Sequence, residues 1–177
     1  MNYDKIIATA AQEMRASGIR KFFDIAAEMK DCISLGVGEP DFKTPWAVRD
    51  AGIRNLEMGQ TRYTSNSGMK ELRTEICKYL DRRFDLHYDP DSQVLVTVGG
   101  SEAIDIGIRA LVNPGDEVII PEPCYVCYDP ITHLTGGKVV SIPLQEKNQF
   151  RLTAEELKAA ITPRTKMLIL PFPCNPT

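Results

Sequence analysis

The 177-residue sequence has few of the residues that mark a metal-binding or disulfide-bonded protein. It contains two histidines, His87 and His133, and five widely scattered cysteines. Cys124 and Cys127 form a single CxxC pair, whereas a structural zinc site needs a second such pair or paired histidines. An odd number of scattered cysteines is also unlike a disulfide framework. The sequence therefore predicts free thiols and no metal site.

Long apolar runs and an excess of basic charge are also missing. No apolar stretch approaches the roughly 18 residues that span a bilayer, and the opening MNYDKIIATAAQEMRASGIRK contains no signal-peptide core. Lys and Arg total 21 against 24 Asp and Glu, a net charge of -3, which argues against a nucleic-acid-binding surface. With 43% apolar and 25% charged residues, the composition is that of a globular chain. We expect a cytoplasmic protein without membrane or nucleic-acid partners.

The first half of the chain is predicted to form helices joined by loops. Apolar residues recur at helical spacing over residues 3–30, 45–58 and 69–84, and a short strand followed by a Gly/Pro loop is predicted over 32–45. Thr44 is predicted to cap the second helix, because Pro45 suits the first helical position.

The second half alternates between strand and helix patterns. Strands are predicted over residues 93–98, 117–121, 138–144 and 166–171, with helical segments between them at 99–112, 124–136 and 153–161. Thr153 and Glu156 form the pattern of a capping box at the start of the last helix. Strands that alternate with helices are typical of a parallel α/β sheet, whose strands are buried on both faces and read as continuous apolar runs.

The segment VLVTVGGSEAI carries the strongest local indication of a binding site. A strand ends, Gly99 and Gly100 allow a positive φ and a close approach by a ligand, and Ser101 would cap the next helix. The unpaired N–H groups of the first helical turn, together with the helix dipole, favour an anion such as a phosphate. The alternative at this point is an ordinary turn between a strand and a helix.

Four other loops add polar or aromatic side chains to this picture. Tyr125 in PEPCYVCY could place its ring on a planar cofactor, and Asn175 in PFPCNPT could donate to a phenolate oxygen. The glycines of LGVGEP would let a carboxylate approach the backbone, and the Tyr63 hydroxyl could reach a phosphate. Each loop taken alone is better explained as a turn or as a packing aromatic.

Five motifs, in their order along the chain, resemble those of the class I/II aminotransferases of the pyridoxal-phosphate (PLP) fold-type-I superfamily. They are LGVGEPDFKTP, TRYTSNSGMKELR, VTVGGSEAI, PEPCYVCY and PFPCNPT. The subgroup of aspartate and aromatic aminotransferases, which carry GEPDF near the start, is the most similar. The resemblance implies an α/β fold, a three-layer αβα arrangement with a mostly parallel sheet and an N-terminal helical arm. Residues 1–45 would be the arm and the start of the small domain, and 46–177 an incomplete large PLP-binding domain.

The resemblance also implies a role for each motif. The cofactor would be pyridoxal 5′-phosphate and the enzyme a homodimer acting on an amino acid and a 2-oxo acid. Tyr125 would stack on the pyridine ring, where many relatives have Trp or Phe, and Asn175 would donate to the phenolic oxygen. Tyr63 would reach the phosphate bound by the partner subunit. The phosphate would be held by Gly100, Ser101, Glu102 and Ala103, and the substrate carboxylate would lie against Val37 and Gly38.

The catalytic residues of this family are expected beyond residue 177. The lysine that forms the Schiff base, the aspartate at the pyridine nitrogen and the arginine that binds the substrate carboxylate all lie downstream in the family, so no catalytic residue is assigned. The chain is therefore predicted to be an N-terminal portion that is inactive alone. A PLP-dependent carbon–sulfur lyase, an aminocyclopropane-carboxylate synthase-like enzyme and a non-catalytic truncated fragment remain alternatives, and the amino-acid donor is not determined.

Overall fold

The computed structural model describes residues 5–14, 18–29, 31, 33, 38, 40 and 42–175. The chain divides into two compact units, one formed by Ser17–Val96 and one formed by Met1–Ala16 together with Thr97–Thr177. The elements, in chain order, are the helices and strands α1 (Thr9–Glu13), α2 (Ile19–Glu28), α3 (Trp46–Glu57), α4 (Lys70–Phe84), α5 (Gly100–Leu111), β1 (Glu117–Glu122), α6 (Tyr128–Leu134), β2 (Lys138–Pro143), α7 (Ala154–Ala160) and β3 (Thr165–Leu168). A short 3-10 helix, Glu146–Asn148, precedes α7.

Within the unit Ser17–Val96, helix α4 carries the buried side chains of Arg73 and Cys77. Arg73 donates to the backbone carbonyl of Pro90, and Lys70 lies 2.9 Å from a carboxylate oxygen of Asp91. These bonds fix the turn that follows α4. None of the residues of α3 is buried, and Trp46 and Leu56 remain 63% and 68% exposed. The apolar side chains of α3 are therefore not part of a core in this unit.

The second unit contains a parallel sheet in the order β2-β1-β3. Strand β1 is central, and its residues Val118, Ile119 and Ile120 are fully buried. Since successive side chains of a strand point to opposite faces, their burial means that both faces of β1 are covered. The α/β fold with a parallel sheet predicted from the alternating pattern is confirmed.

Helices α5 and α6 form the core with β1. Ile108 and Val112 from α5 and Tyr128 from α6 cluster with Val118 and Ile120, the two residues that share one face of the strand. This packing fixes the positions of the first turns of both helices relative to the carboxyl end of β1. The candidate site is built at that end of the strand.

A buried carboxylate ties β1 to the start of β3. Glu117 is 5% exposed, accepts a 2.5 Å hydrogen bond from the hydroxyl of Thr162, and accepts bonds from the Arg164 guanidinium at 2.9 and 2.6 Å. The Thr162 hydroxyl and, next, the Arg164 guanidinium hold the pKa of Glu117 below its ordinary value. This carboxylate is therefore ionised at neutral pH and joins two neighbouring strands.

Two expectations about the elements are wrong. Residues 93–98 form no strand. A strand needs a continuous neighbour, and among the described residues the one ladder-like bond of this segment runs from the Val96 N–H to the carbonyl of Ser67, at 3.1 Å. The cap position of helix α3 is Pro45 instead of Thr44, because Pro45 has the non-helical ψ of 141°. Among the described residues, no side chain caps this helix.

The capping box at the start of α7 is confirmed. The hydroxyl of Thr153 accepts a hydrogen bond from the N–H of Glu156 at 3.2 Å, and the Glu156 carboxylate accepts one from the N–H of Thr153 at 3.0 Å. Both bonds are local, so the sequence pattern was sufficient to predict them. The last predicted strand is also present, as β3, but it is shorter than expected and ends at Leu168.

Candidate functional site

Helix α5 begins with a turn that favours glycine. Gly99, which precedes the helix, has φ 88° and ψ 167°, a region of backbone conformation that is essentially restricted to glycine. Among the described residues, no acceptor is bonded to the N–H groups of Gly100, Ser101 and Glu102, and no atom lies within 4 Å of where a Cβ would stand at Gly99 or Gly100. These three N–H groups, at the positive end of the helix dipole, are an accessible donor set for an anion.

Ser101 and Glu102 differ from the predicted arrangement of the helix start. Gly99 occupies the cap position and, in the part of the chain that the structure describes, no side chain caps the helix, so the prediction that Ser101 caps it is wrong. The reason is that the turn is made by Gly99, which places Ser101 inside the first helical turn. The Glu102 carboxylate turns back and accepts a hydrogen bond from the N–H of Val98. This bond holds its negative charge beside the residue that precedes the turn.

Tyr125 extends from the loop that follows β1 to the start of α5. Its hydroxyl oxygen lies 3.2 Å from the hydroxyl oxygen of Ser101. Its ring meets that of Tyr128 edge to face, with centroids 5.9 Å apart and planes at 85°, and it packs against the core. Tyr125 thus has the packing role that the sequence left open, and its polar end contacts a residue predicted to bind phosphate.

Cysteine thiols lie around the same loop. The Cys174 thiol donates to the backbone carbonyl of Pro123 at 3.5 Å, so the loops that follow β3 and β1 meet. Burial raises the pKa of the Cys124 thiol, and burial also raises the pKa of Cys127, an effect that interaction with the Ser101 hydroxyl partly offsets. Both thiols are therefore neutral at pH 7 and place no negative charge beside the start of α5.

The remaining predicted site residues are placed as follows. Ala103 is exposed in the first turn of α5, and its N–H donates to the carbonyl of Gly99 at 3.5 Å. Asn175 is exposed and follows Cys174 directly. Tyr63 is fully exposed in the loop between α3 and α4 of the other unit. Gly38 is exposed with no atom within 4 Å of where a Cβ would stand, and Val37 lies outside the described residues.

Sequence reasoning did not find the contacts that assemble the site. The Ser101–Tyr125 bond joins residues that are 24 positions apart, and the Cys174–Pro123 bond joins residues that are 51 apart. The one available signal was topological, because the carboxyl ends of parallel strands share one edge of a sheet. The sequence contained no signal for the turn of the Glu102 side chain.

Comparison with known proteins identifies the family. The profile of the family described as aminotransferase class I and II matches residues 30–177. The chain belongs to this family. The Gly-rich turn, the Tyr125 loop and the segment that ends in Asn175 all lie within the matched range.

Individual relatives agree with this assignment. The chain is 55% identical to a Bacillus subtilis (strain 168) protein, YugH, which carries a provisional aminotransferase name. The alignment extends over 166 residues and covers 94% of this chain and 43% of that protein. The chain is 47% identical over 161 residues to the aspartate aminotransferase of Pyrococcus abyssi, with 91% and 41% covered. The crystal structure of the aspartate aminotransferase from Rhizobium meliloti superposes with a TM-score of 0.88 at 39% identity, with 97% and 44% covered. The chain thus spans less than half the length of these relatives.

One further group of polar side chains lies at the end of α4. Asp81, Asp85 and His87 bring potential metal-ligating atoms within 4.8 Å of one another, and all three residues are exposed. The two imidazole nitrogens of His87 already face carboxylate oxygens, at 2.8 Å from Asp81 and 3.4 Å from Asp85. We assign no metal to this group. Among the described residues, no helix is long and apolar enough to cross a bilayer.

Proposed function

We propose that this chain is the N-terminal part of an enzyme that uses pyridoxal 5′-phosphate to move an amino group from an L-amino acid to a 2-oxo acid. Membership of the aminotransferase class I and II family supports the proposal. The observation that carries it is the 3.2 Å contact between Ser101 and Tyr125. This contact brings a residue suited to a phosphate together with a ring suited to a planar heterocycle.

The donors and the open space at the start of α5 fit the phosphate of the cofactor. Three N–H groups that have no acceptor among the described residues match the several oxygens of a phosphate, and the absence of side chains at Gly99 and Gly100 leaves room for it. The carboxylate that could repel the anion, that of Glu102, is bonded to the N–H of Val98. We propose that Gly100, Ser101 and Glu102 hold the phosphate mainly through their N–H groups, with Ala103 beside them.

The other roles follow from the same proposal. Tyr125 would place its ring against the heterocycle, since packing against Tyr128 fixes the ring while its hydroxyl reaches Ser101. Asn175 would donate its amide N–H to the phenolic oxygen of the cofactor. Val37 and Gly38 would lie against the substrate carboxylate, and Tyr63 would reach the phosphate held by a partner subunit in a homodimer.

When bound, PLP supplies an electron sink that makes the proton on the substrate's amino-bearing carbon removable. In this proposal the residues of this chain bind and orient that group and do not move the proton. The lysine that acts as base and covalent anchor is expected beyond residue 177. The isolated chain is therefore proposed to orient a cofactor without catalysing transfer.

The test uses the full-length polypeptide that contains this chain, purified with added PLP. We expect a visible absorbance band of bound cofactor that an L-amino acid removes and that 2-oxoglutarate then restores. If the amino acid instead yields pyruvate and ammonia, and 2-oxoglutarate takes up no amino group, the enzyme is a lyase and transamination is wrong. If no PLP band forms at any pH, the cofactor assignment fails.

A further inference from the structure

The hydroxyl of Tyr125 has a separate role from its ring. A ring that stacks on a heterocycle needs no hydroxyl, and phenylalanine would provide the same face. In this chain the hydroxyl is placed 3.2 Å from the hydroxyl of Ser101, in the first turn of α5. Because Tyr128 and the core hold the ring, the direction in which the Tyr125 hydroxyl points is fixed by packing and not by the ligand.

Without Tyr125, the Ser101 hydroxyl would keep its interaction with the Cys127 thiol, which is only a weak donor and acceptor and would not fix the direction of the hydroxyl. A hydroxyl carries one donor hydrogen and two acceptor lone pairs, and that of Ser101 rotates about a single side-chain torsion. If Tyr125 donates its hydrogen to the Ser101 oxygen, the Ser101 hydrogen is left free for an anion. If Ser101 donates to Tyr125, that hydrogen is lost to the anion. A charge-assisted bond is roughly twice as strong as a neutral one, so a bound phosphate selects the first arrangement.

We infer that Tyr125 is a positioning residue for phosphate binding, acting through Ser101: its hydroxyl donates to the Ser101 oxygen and directs the Ser101 hydrogen to the phosphate. This inference rests on the proposed function, since it needs a phosphorylated ligand at the start of α5. It adds that Tyr125 raises the affinity for the phosphate itself, and not only for the ring of the ligand.

The experiment measures equilibrium binding to the full-length protein of pyridoxamine phosphate and of pyridoxamine, which lacks the phosphate. Neither ligand can form a Schiff base with a lysine, so the affinities report non-covalent contacts. Tyr125→Phe is expected to weaken the binding of pyridoxamine phosphate by roughly five- to tenfold, the effect of one hydrogen bond. The same substitution is expected to change the affinity for pyridoxamine by less than about twofold. Tyr128→Phe, which removes a hydroxyl from the neighbouring ring, is the matched control and should leave both affinities unchanged.

A double-mutant cycle tests the route through Ser101. In a Ser101→Ala background, Tyr125→Phe should cause no further loss of pyridoxamine phosphate affinity. An equal loss for both ligands, no loss for either, or a full further loss in the Ser101→Ala background would overturn the inference. Thermal melting of each variant separates misfolding from loss of binding, and Ser101→Thr, which keeps a hydroxyl, should restore the sensitivity to Tyr125→Phe. If the unmodified protein does not prefer the phosphorylated ligand, the proposed function itself fails.

Discussion

Replacing Gly99 with alanine should disrupt the candidate anion site through the backbone alone. Gly99 has φ 88° and ψ 167°, and a side-chain-bearing residue in this region costs about 1–3 kcal/mol. No atom lies within 4 Å of the position of the new Cβ, so steric contact adds nothing to this cost. Because each 1.4 kcal/mol is tenfold in an equilibrium constant, the strain is equivalent to a factor of roughly 5 to 140 in binding.

The strain must appear in one of two measurements. If the fold holds the turn in place, Gly99→Ala lowers the free energy of unfolding by about 1–3 kcal/mol. If the turn relaxes, the N–H groups of Gly100, Ser101 and Glu102 change direction and the affinity for pyridoxamine phosphate falls instead. Urea unfolding of the full-length protein measures the loss in the free energy of unfolding, and calorimetry measures the loss in the free energy of binding. The sum of these two losses should be at least about 1 kcal/mol.

Gly107 provides the matched control for this substitution. It lies within α5, and no atom is within 4 Å of where its Cβ would stand. Gly107→Ala should stabilise the protein by up to about 1 kcal/mol, because alanine favours helix over glycine, and should leave the affinity for pyridoxamine phosphate unchanged. If Gly99→Ala changes neither stability nor affinity, the argument that its backbone conformation builds the site is wrong.

Three further predictions concern the unit that holds the sheet, each measured by urea unfolding of the full-length protein. Ile119→Ala removes a fully buried side chain of the central strand and should cost about 2–5 kcal/mol, against about 0.5–1.5 for Ile119→Val; equal costs would argue against burial on both faces. Thr153→Ala removes the cap of α7 and should lower the free energy of unfolding by about 1 kcal/mol. Thr153→Ser, which keeps a capping hydroxyl, should retain most of that stability. In the folded state the pKa of Glu117 is lowered from its ordinary 4.5. Its contribution to the free energy of unfolding is therefore complete above pH 4.5 and is lost as the pH falls through the folded pKa. Glu117→Gln should therefore lower stability at pH 7 and reduce the loss on acidification, and an unchanged acid profile would contradict this.

The sequence predicted the features that depend on local residues. The run EVIIP indicated the buried strand β1, and the Thr153–Glu156 capping box followed from a four-residue pattern. The class of fold followed from the alternation of strand and helix patterns. The first two signals lie within short segments of chain, and the third comes from the order of such segments, so no contact between distant residues needed to be known.

What the sequence could not predict depends on distant partners. The apolar pattern of residues 93–98 is that of a strand, but no continuous hydrogen-bonded neighbour is present among the described residues to make it one. The identity of the cap of α5 depended on the φ of Gly99, which the pair Gly99–Gly100 left undecided. The Ser101–Tyr125 contact requires α5, β1 and α6 to be packed together, which is a property of the core and not of either motif.

The most direct test of the central claim is a crystal structure of the full-length protein grown with PLP. We expect phosphate oxygens within hydrogen-bond distance of the N–H groups of Gly100, Ser101 and Glu102, and the ring of Tyr125 against the pyridine ring. A phosphate bound elsewhere in the protein, or a side chain covering those three N–H groups, would contradict the account.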